Sequence, residues 1–277
     1  DLVIPQTTAE NAFLASQRGG LDALILCPSP GQVSLLNDKG KLLQSFADAA
    51  LPHPSFHISK SATSLEASLE ALGFPHNDVV IKPPSSNGMR GVRRISSKTI
   101  SFSDFATRKP DSWAMSRDEL FKVLSSAEEW PELVVMEFLE GAEYSVDIFR
   151  SPEIETIVPR RRDEMRAGIS MKTTLHFEPA LIEVVGNFIE FHKLEGLFGL
   201  QFIFTDSGPM VLESNPRVQG SMVASLMSGV NLLWLAVKHT LQLEIYPGET
   251  QFIEPGGVFT RSWGGALEYA NGSREII

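Results

Sequence analysis

Cysteine is almost missing from this chain of 277 residues. Cys27 stands alone, so no intrachain disulfide can form, and a reducing interior, the cytoplasm, is the expected compartment. No apolar run approaches the roughly 20 residues that cross a bilayer, and the first residues lack the basic, apolar and small-residue order of a signal peptide, so no membrane partner is expected. Basic residues are the minority charge: 24 Lys and Arg against 34 Asp and Glu leave a net charge of −10. That balance argues against a surface that neutralises nucleic-acid phosphates, while leaving room for a local basic pocket. His53, His57, His76, His176, His192 and His239 show no metal-ligand spacing, and there is no repeat or low-complexity tract. What the chain does have is 43% hydrophobic residues, enough to bury a large core in two or three units.

The chain begins as an αβ repeat. "DLVIP" reads as a strand, Thr7 and Glu10 form a capping box for a helix ended by Gly19, and "DALILCP" is the next strand. A doubly wound sheet needs more strands than this, so residues 1–52, with a helix over Asp38 to Ala50, read as the remainder of an N-terminal α/β domain. Residues 53–136 change pattern. "HPSFHIS", "DVVIKP" and "GVRRIS" are short strands around a helix at Ser61 to Leu72, and Ser116 with Glu119 caps another helix, as in a small α+β unit. Residues 137–277 follow: "ELVVMEFLEGAEYSVDIF" gives two strands broken at Glu140-Gly141, with Glu143, Ser145 and Asp147 on one face. A helix over Glu178 to Lys193, a hairpin and helical patterns from Ser221 to Leu243 complete this part, in which Met222, Leu226, Met227 and Trp234 read as core. The tail from Gly256 is uninformative.

Three stretches carry chemistry. In "GLQFIFTDSGPMVLESN" two apolar strands flank a turn, and a three-residue loop, Asp206 to Gly208, sets Thr205 against Pro209 and Gln201 opposite Glu213. A two-residue loop would slip the register by one and send Gln201 to the other face. With a side-chain period of two, Asn215 joins Glu213, so three oxygen donors meet at one sheet end, a set suited to Mg²⁺ or Mn²⁺ that shares phosphate ligands. Arg217, two residues on, suits a phosphoryl group in transfer. A capped strand end with solvated polar residues would look the same. In "VVIKPPSSNGMRGVRRIS", Lys82 ends a buried strand, and Ser85, Ser86, Asn87, Gly88 and Gly91 form a loop whose free N–H groups can wrap phosphate. It is no Walker motif, and a hairpin with a flexible tip is the plainer reading. "VPRRRDEMRAGISMKT" is the most basic stretch of an acidic chain; its alternate residues Arg160 and Arg162 suit either an anion site or a solvated strand.

Taken in order, Lys39, Lys82 with its glycine loop, "VVMEFLEGAEYSVDI" and "LQFIFTDSGPMVLESNPRVQG" resemble the ATP-grasp superfamily. The likeness is to its carbamoyl-phosphate-synthetase large-subunit type and the related small ligases, and it runs from Asp1 to Leu243. The resemblance implies two α+β subdomains gripping ATP (a lid at 53–136 and a core at 137–277) after an incomplete pre-ATP-grasp α/β domain. It implies that Lys39 and Lys82 contact phosphates and adenine, and that Ser85, Ser86, Gly88 and Gly91 close over the phosphates. Glu137, Phe138 and Leu139 would line adenine, and Glu143 would hold ribose. Gln201, Glu213 and Asn215 would face the metal, and Arg217 the transferring phosphoryl group, with Arg160 and Arg162 as further cations for phosphate or an acid substrate. The implied reaction is ATP-dependent carboxylate–amine ligation through an acyl phosphate, with small-molecule partners and room for a homodimer. A phosphotransferase acting on a small acid and a nucleotide-binding module without turnover are the alternatives. Gln201 in place of an acidic first ligand is typical of the carbamoyl-phosphate-synthetase branch.

Overall fold

The computed structural model describes residues 1–86, 88–98, 102–107, 113–166, 168–252, 256–262, 266–268 and 274–276. Asn87 of the glycine loop lies outside them.

Strand β1 (Leu2–Val3) pairs in parallel with β2 (Leu24–Ile25), with helix α1 (Thr8–Ser16) between them. The Thr7–Glu10 capping box forms as expected, but α1 ends at Ser16 with Gln17 as its cap, short of Gly19. A helix missed in the sequence, α2 (Pro30–Asn37), starts at a second box of Ser29 and Gln32 with Pro30 in its first turn, where a missing N–H costs nothing. It runs directly into α3 (Lys39–Asp48), whose cap is the Asp38 carboxylate accepting from the Lys41 N–H.

The next unit is a five-stranded sheet built from β3 (Phe56–Ser59), β4 (Val79–Lys82), β5 (Arg93–Ile95), β6 (Ala114–Met115) and β7 (Leu133–Glu137), in the order β3-β7-β4-β5-β6. Helices α4 (Ala62–Ala71) and α6 (Arg117–Leu124) cover one face, α5 (Phe102–Thr107) lying between β5 and β6 in the chain. The period of two divides each strand: Val79, Ile81 and Val135 enter a core with Leu65, Leu69 and Leu120, while Val80, Lys82 and Met136 look the other way, into a cleft.

Beyond Glu140-Gly141 lies an antiparallel sheet of six strands. It comprises β8 (Ala142–Arg150), β9 (Glu155–Arg166), β10 (Ile169–Leu175), β11 (Gly196–Thr205), β12 (Gly208–Asn215) and β13 (Val258–Thr260), in the order β12-β11-β8-β9-β10-β13. Helix α7 (Pro179–His192) packs Leu181, Val185 and Phe188 onto Val146, Ile148, Phe198 and Phe202. Helix α3 buries Leu42, Leu43 and Phe46 in this same core, which carries Lys39, at its first turn, to the cleft. The expected helix from Ser221 is a 3-10 segment, Met222–Ser228, closed by left-handed Gly229 before α8 (Leu232–Thr240). Leu226 and Trp234 are about half exposed rather than core, because so short a segment buries one side only. Among the described residues no single helix is long and apolar enough to cross a membrane.

The β11–β12 turn corrects the sequence reading. Thr205 pairs with Gly208, so the loop is two residues, Asp206 and Ser207, yet Gln201 still faces Glu213. A bulge reconciles the two: Phe202 pairs with Val211 and Gln201 with Glu213, leaving Leu212 as the extra residue. The slip caused by the shorter loop is undone four residues later.

Candidate active site

The two sheets face each other across a cleft of about 290 Å³. One wall is Val80, Lys82, Val92 and Met136; the other includes Glu143, Gln201, Ile203, Leu212 and Glu213, and the segment Glu137–Phe138–Leu139 closes one end. Ser86 and Gly88 of the glycine loop complete it. Ten of the sequence-selected residues therefore lie around one space. Ser85 and Gly91 are placed on the outer side of the loop, lining a different cavity with α1 and α2.

The bulge has a chemical use. Lys82 is buried, and its Nζ donates to the carbonyl of Leu212, the bulged residue, at 2.8 Å. Burial pulls the Lys82 ammonium down to about 8, with the Glu213 carboxylate opposing the fall and Lys39 adding to it. Lys39, also buried, donates to the Ser86 carbonyl at 2.9 Å and hydroxyl at 3.2 Å and stands 3.8 Å from Glu213 Oε2. It ties the glycine loop to the hairpin acid, and burial lowers its pKa too.

Glu213 has Gln201 opposite and Asn215 two residues on. Arg217 Nη2 donates to Asn215 Oδ1 at 3.2 Å, and its Nη1 to the Val218 carbonyl at 2.9 Å. Arg162 Nη1 donates to Glu143 Oε2 at 3.0 Å and to Gln201 Oε1 at 2.9 Å. Desolvation lowers both guanidinium pKa values, with Glu213 opposing, and raises that of Glu143 against the pull of Arg162. Four half-buried or buried cations, Lys39, Lys82, Arg162 and Arg217, thus surround two carboxylates, Glu143 and Glu213. A surplus of buried positive charge in a chain of net charge −10 fits an anionic ligand.

Arg160 is placed elsewhere. It is fully buried, with Nε and Nη2 each 2.7 Å from Asp147 Oδ2, which also accepts from Ser225 Oγ. The strands explain the split: Glu143 and Asp147 lie on one face of β8 on either side of Ser145, and Ser145 pairs with Arg160. Arg160 turns to the buried acid and Arg162 to the cleft.

A second cavity of about 260 Å³ shares Gly88, Arg162, Gly168, Gln201 and Glu213 with the first. Its own lining includes Ser145, Arg217, Gln219, Ser221 and Arg261. Arg217 Nε, Gln219 Nε2 and Arg261 Nε are buried N–H groups with no hydrogen-bond partner among the described residues. Gln219 lies flat on Gly199, where a Cβ would stand 1.4 Å from its Nε2. Sequence reasoning missed Gln219 and Arg261. The first carries on the alternation of Glu213, Asn215 and Arg217; the second sits in a tail without pattern and arrives through the pairing of β13 with β10. It also missed Asn11, a fully buried residue of α1 whose Nδ2 holds the Pro216 carbonyl at 2.7 Å, between Asn215 and Arg217.

The donor set fits a hard divalent cation that shares its ligands with a polyphosphate. It has one carboxylate and two amide oxygens, and no cluster of three His, Cys, Asp or Glu occurs among the described residues to hold an ion unaided.

Residues 129–255 match the family model described as ATP-grasp in the biosynthetic pathway with Ter operon. An uncharacterized protein of Sinorhizobium fredii is 24% identical over 70% of this chain and 39% of its own length. The arginine-specific large chain of carbamoyl phosphate synthase from Bacillus subtilis is 20% identical over 83% of this chain and 21% of its own length. The chain therefore spans about two fifths or less of these relatives. Among solved structures, a complex of biotin carboxylase with β-γ-ATP from Campylobacter jejuni superposes with a TM-score of 0.71 at 14% identity, covering 93% of this chain and 57% of the other. The biotin carboxylase domain of 2-oxoglutarate carboxylase from Hydrogenobacter thermophilus, in complex with MgADP, ADP and bicarbonate, gives 0.69 at 15% identity over 91% and 56%. The chain has the fold of these enzymes, and its residues 129–255 match an ATP-grasp family model.

Proposed function

We propose that this chain is the nucleotide-binding part of an ATP-dependent carboxylate–amine ligase. Residues 53–136 are its lid, 137–277 its core and 1–52 part of a preceding domain. The observation that carries this reading is the pair of adjoining cavities, one fitted to a nucleotide and one edged by three guanidinium groups, with Gln201 and Glu213 on their shared wall.

Adenine occupies the apolar end beside Glu137, Phe138 and Leu139, and Glu143 takes the ribose. Lys39, Lys82 and the glycine loop receive the phosphates. Mg²⁺ or Mn²⁺, held by Gln201, Glu213, Asn215 and phosphate oxygens, would neutralise charge on the transferring group. The acid lies in the second cavity, where Arg217 and Arg261 are bidentate partners for a carboxylate and the unpartnered Gln219 amide is a further donor. A carboxylate oxygen attacks the γ-phosphorus, the bond to the ADP oxygen breaks, and an acyl phosphate forms. An amine then attacks the acyl carbon, phosphate leaves with the C–O bond electrons, and the amine proton is lost. Positioning and electrostatics supply the catalysis, so no side-chain nucleophile is needed. Arg160, spent on Asp147, anchors β9 against β8 and takes no part in the chemistry.

The small second cavity and the carbamoyl phosphate synthase match also favour a phosphotransferase for a small acid. The whole protein, assayed for ADP release over carboxylic acids crossed with amines, separates the two: the ligase needs both substrates, the phosphotransferase only the acid. With the active pair found, Glu213→Gln and Arg217→Met each lower turnover by about a hundredfold or more while ADP binds within a few fold of the parent. Parent-like turnover in either variant would reduce this polar face to a capped strand end.

A further inference from the structure

Arg162 stands on the wall between the two cavities, and its bonds limit what it can do. Nε donates to Ser170 Oγ at 2.9 Å, Nη1 to both Glu143 and Gln201, and Nη2 to the Gly168 carbonyl at 2.6 Å. A guanidinium has five N–H groups, so one remains, too few for bidentate capture of a phosphate or carboxylate without breaking a bond already made. Its side chain is 6% exposed, so a broken bond would not be replaced by water.

Gly168 immediately precedes β10, in the left-handed region at φ +78°, and the glycine loop passes beside it at Met89. A Cβ built on Gly168 would stand 3.1 Å from Met89 Cγ, and Met89 itself holds a left-handed backbone at φ +61°. Met89 of the loop, the Gly168 carbonyl, the Arg162 guanidinium and the Gln201 amide form one contact chain from lid to core.

We propose that Arg162 is a positioning residue: it fixes the Gln201 amide oxygen and the Glu143 carboxylate in place, with its own orientation set through Gly168 by the glycine loop beside it. This rests on the nucleotide reading of the cleft. The ion that the nucleotide brings then meets a preset Gln201 only when the loop lies beside Gly168. Partners that orient a ligand in this way govern metal affinity, and their loss weakens it about 10- to 100-fold.

The test is calorimetric titration of the full chain with ATP, in millimolar Mg²⁺ and again in EDTA, for the parent, Arg162→Met, Arg162→Lys and Gly168→Ala. The parent binds tighter with Mg²⁺, and Arg162→Met removes most of that advantage, by about tenfold or more, while its affinity in EDTA shifts only a few fold. Arg162→Lys, which keeps the charge and loses the fork, falls between them and serves if Arg162→Met does not fold. Gly168→Ala, whose Cβ would crowd Met89 Cγ at 3.1 Å and whose backbone would be strained at φ +78°, shifts the carbonyl that holds Arg162 and lowers the Mg²⁺ advantage. A merely structural role would lower the melting temperature and leave the ratio alone, overturning the proposal. Equal weakening with and without Mg²⁺ would mean that Arg162 grips phosphate directly, and unchanged binding in both would point to the acid; either overturns it. A parent-like ratio in Gly168→Ala refutes the link to the loop. Failure of the parent to bind ATP in either buffer overturns the nucleotide reading itself.

Discussion

Lys82 offers the sharpest test of the proposed phosphate site. Its ammonium is buried against the Leu212 carbonyl with Glu213 as its nearby acid, and its pKa falls from 10.5 to about 8. That gap corresponds to about 3 kcal/mol favouring the neutral amine in the folded chain. The unfolded chain keeps the proton up to the ordinary lysine value and the folded chain only to about 8, so between those limits unfolding takes up a proton and stability rises with pH. Lys82→Met removes this rise, and the variant without nucleotide should be the more stable of the two near neutrality, where the parent carries a desolvated charge. A polyphosphate reverses the logic. It binds the protonated amine, so affinity is near its maximum below pH 8 and falls about tenfold by pH 9, with a proton taken up on binding. Titration calorimetry with MgATP in two buffers of different ionisation enthalpy reads both affinity and proton uptake. Lys82→Met should bind more weakly at pH 7 and show neither the slope nor the uptake. A parent affinity flat from pH 7 to 9, or a variant that keeps the parent's slope, would refute the assignment of Lys82 to the phosphates.

Asp147→Asn leaves the fully buried Arg160 without a counter-charge, and urea unfolding should show a loss of about 3–5 kcal/mol; a loss below about 1 kcal/mol would mean that the pair stabilises little. Gly199→Ala sets a methyl where Gln219 now lies, on a strand that β8 and β12 hold from both sides, so Gln219 is expelled. The cost is about 1–3 kcal/mol by thermal unfolding, with KM for the acid raised more than KM for ATP. Equal KM changes would remove Gln219 from the proposed acid site.

Much of the site was legible because it is local. The period of two along β12 puts Glu213 and Asn215 on one face whatever the rest of the chain does, and capping boxes at Thr7 and Ser116 announce helices through bonds three residues long. The placing of Gln201 against Glu213 was reached through the wrong loop, because a bulge is set by what Leu212 meets: its carbonyl is held by Lys82, 130 residues away. Arg160 and Arg162 are equivalent in β9 by sequence and part company only because β8 offers Asp147 to one and Glu143 to the other. Asn11, supporting Pro216 from 205 residues away, and Arg261, delivered by β13, have no local signature at all. Sequence by itself determined which side chains share a face, since the pitch of a strand is covalent geometry. Only the tertiary structure decided which of those faces meet, because desolvation and charge pairing depend on neighbours the chain brings together by folding.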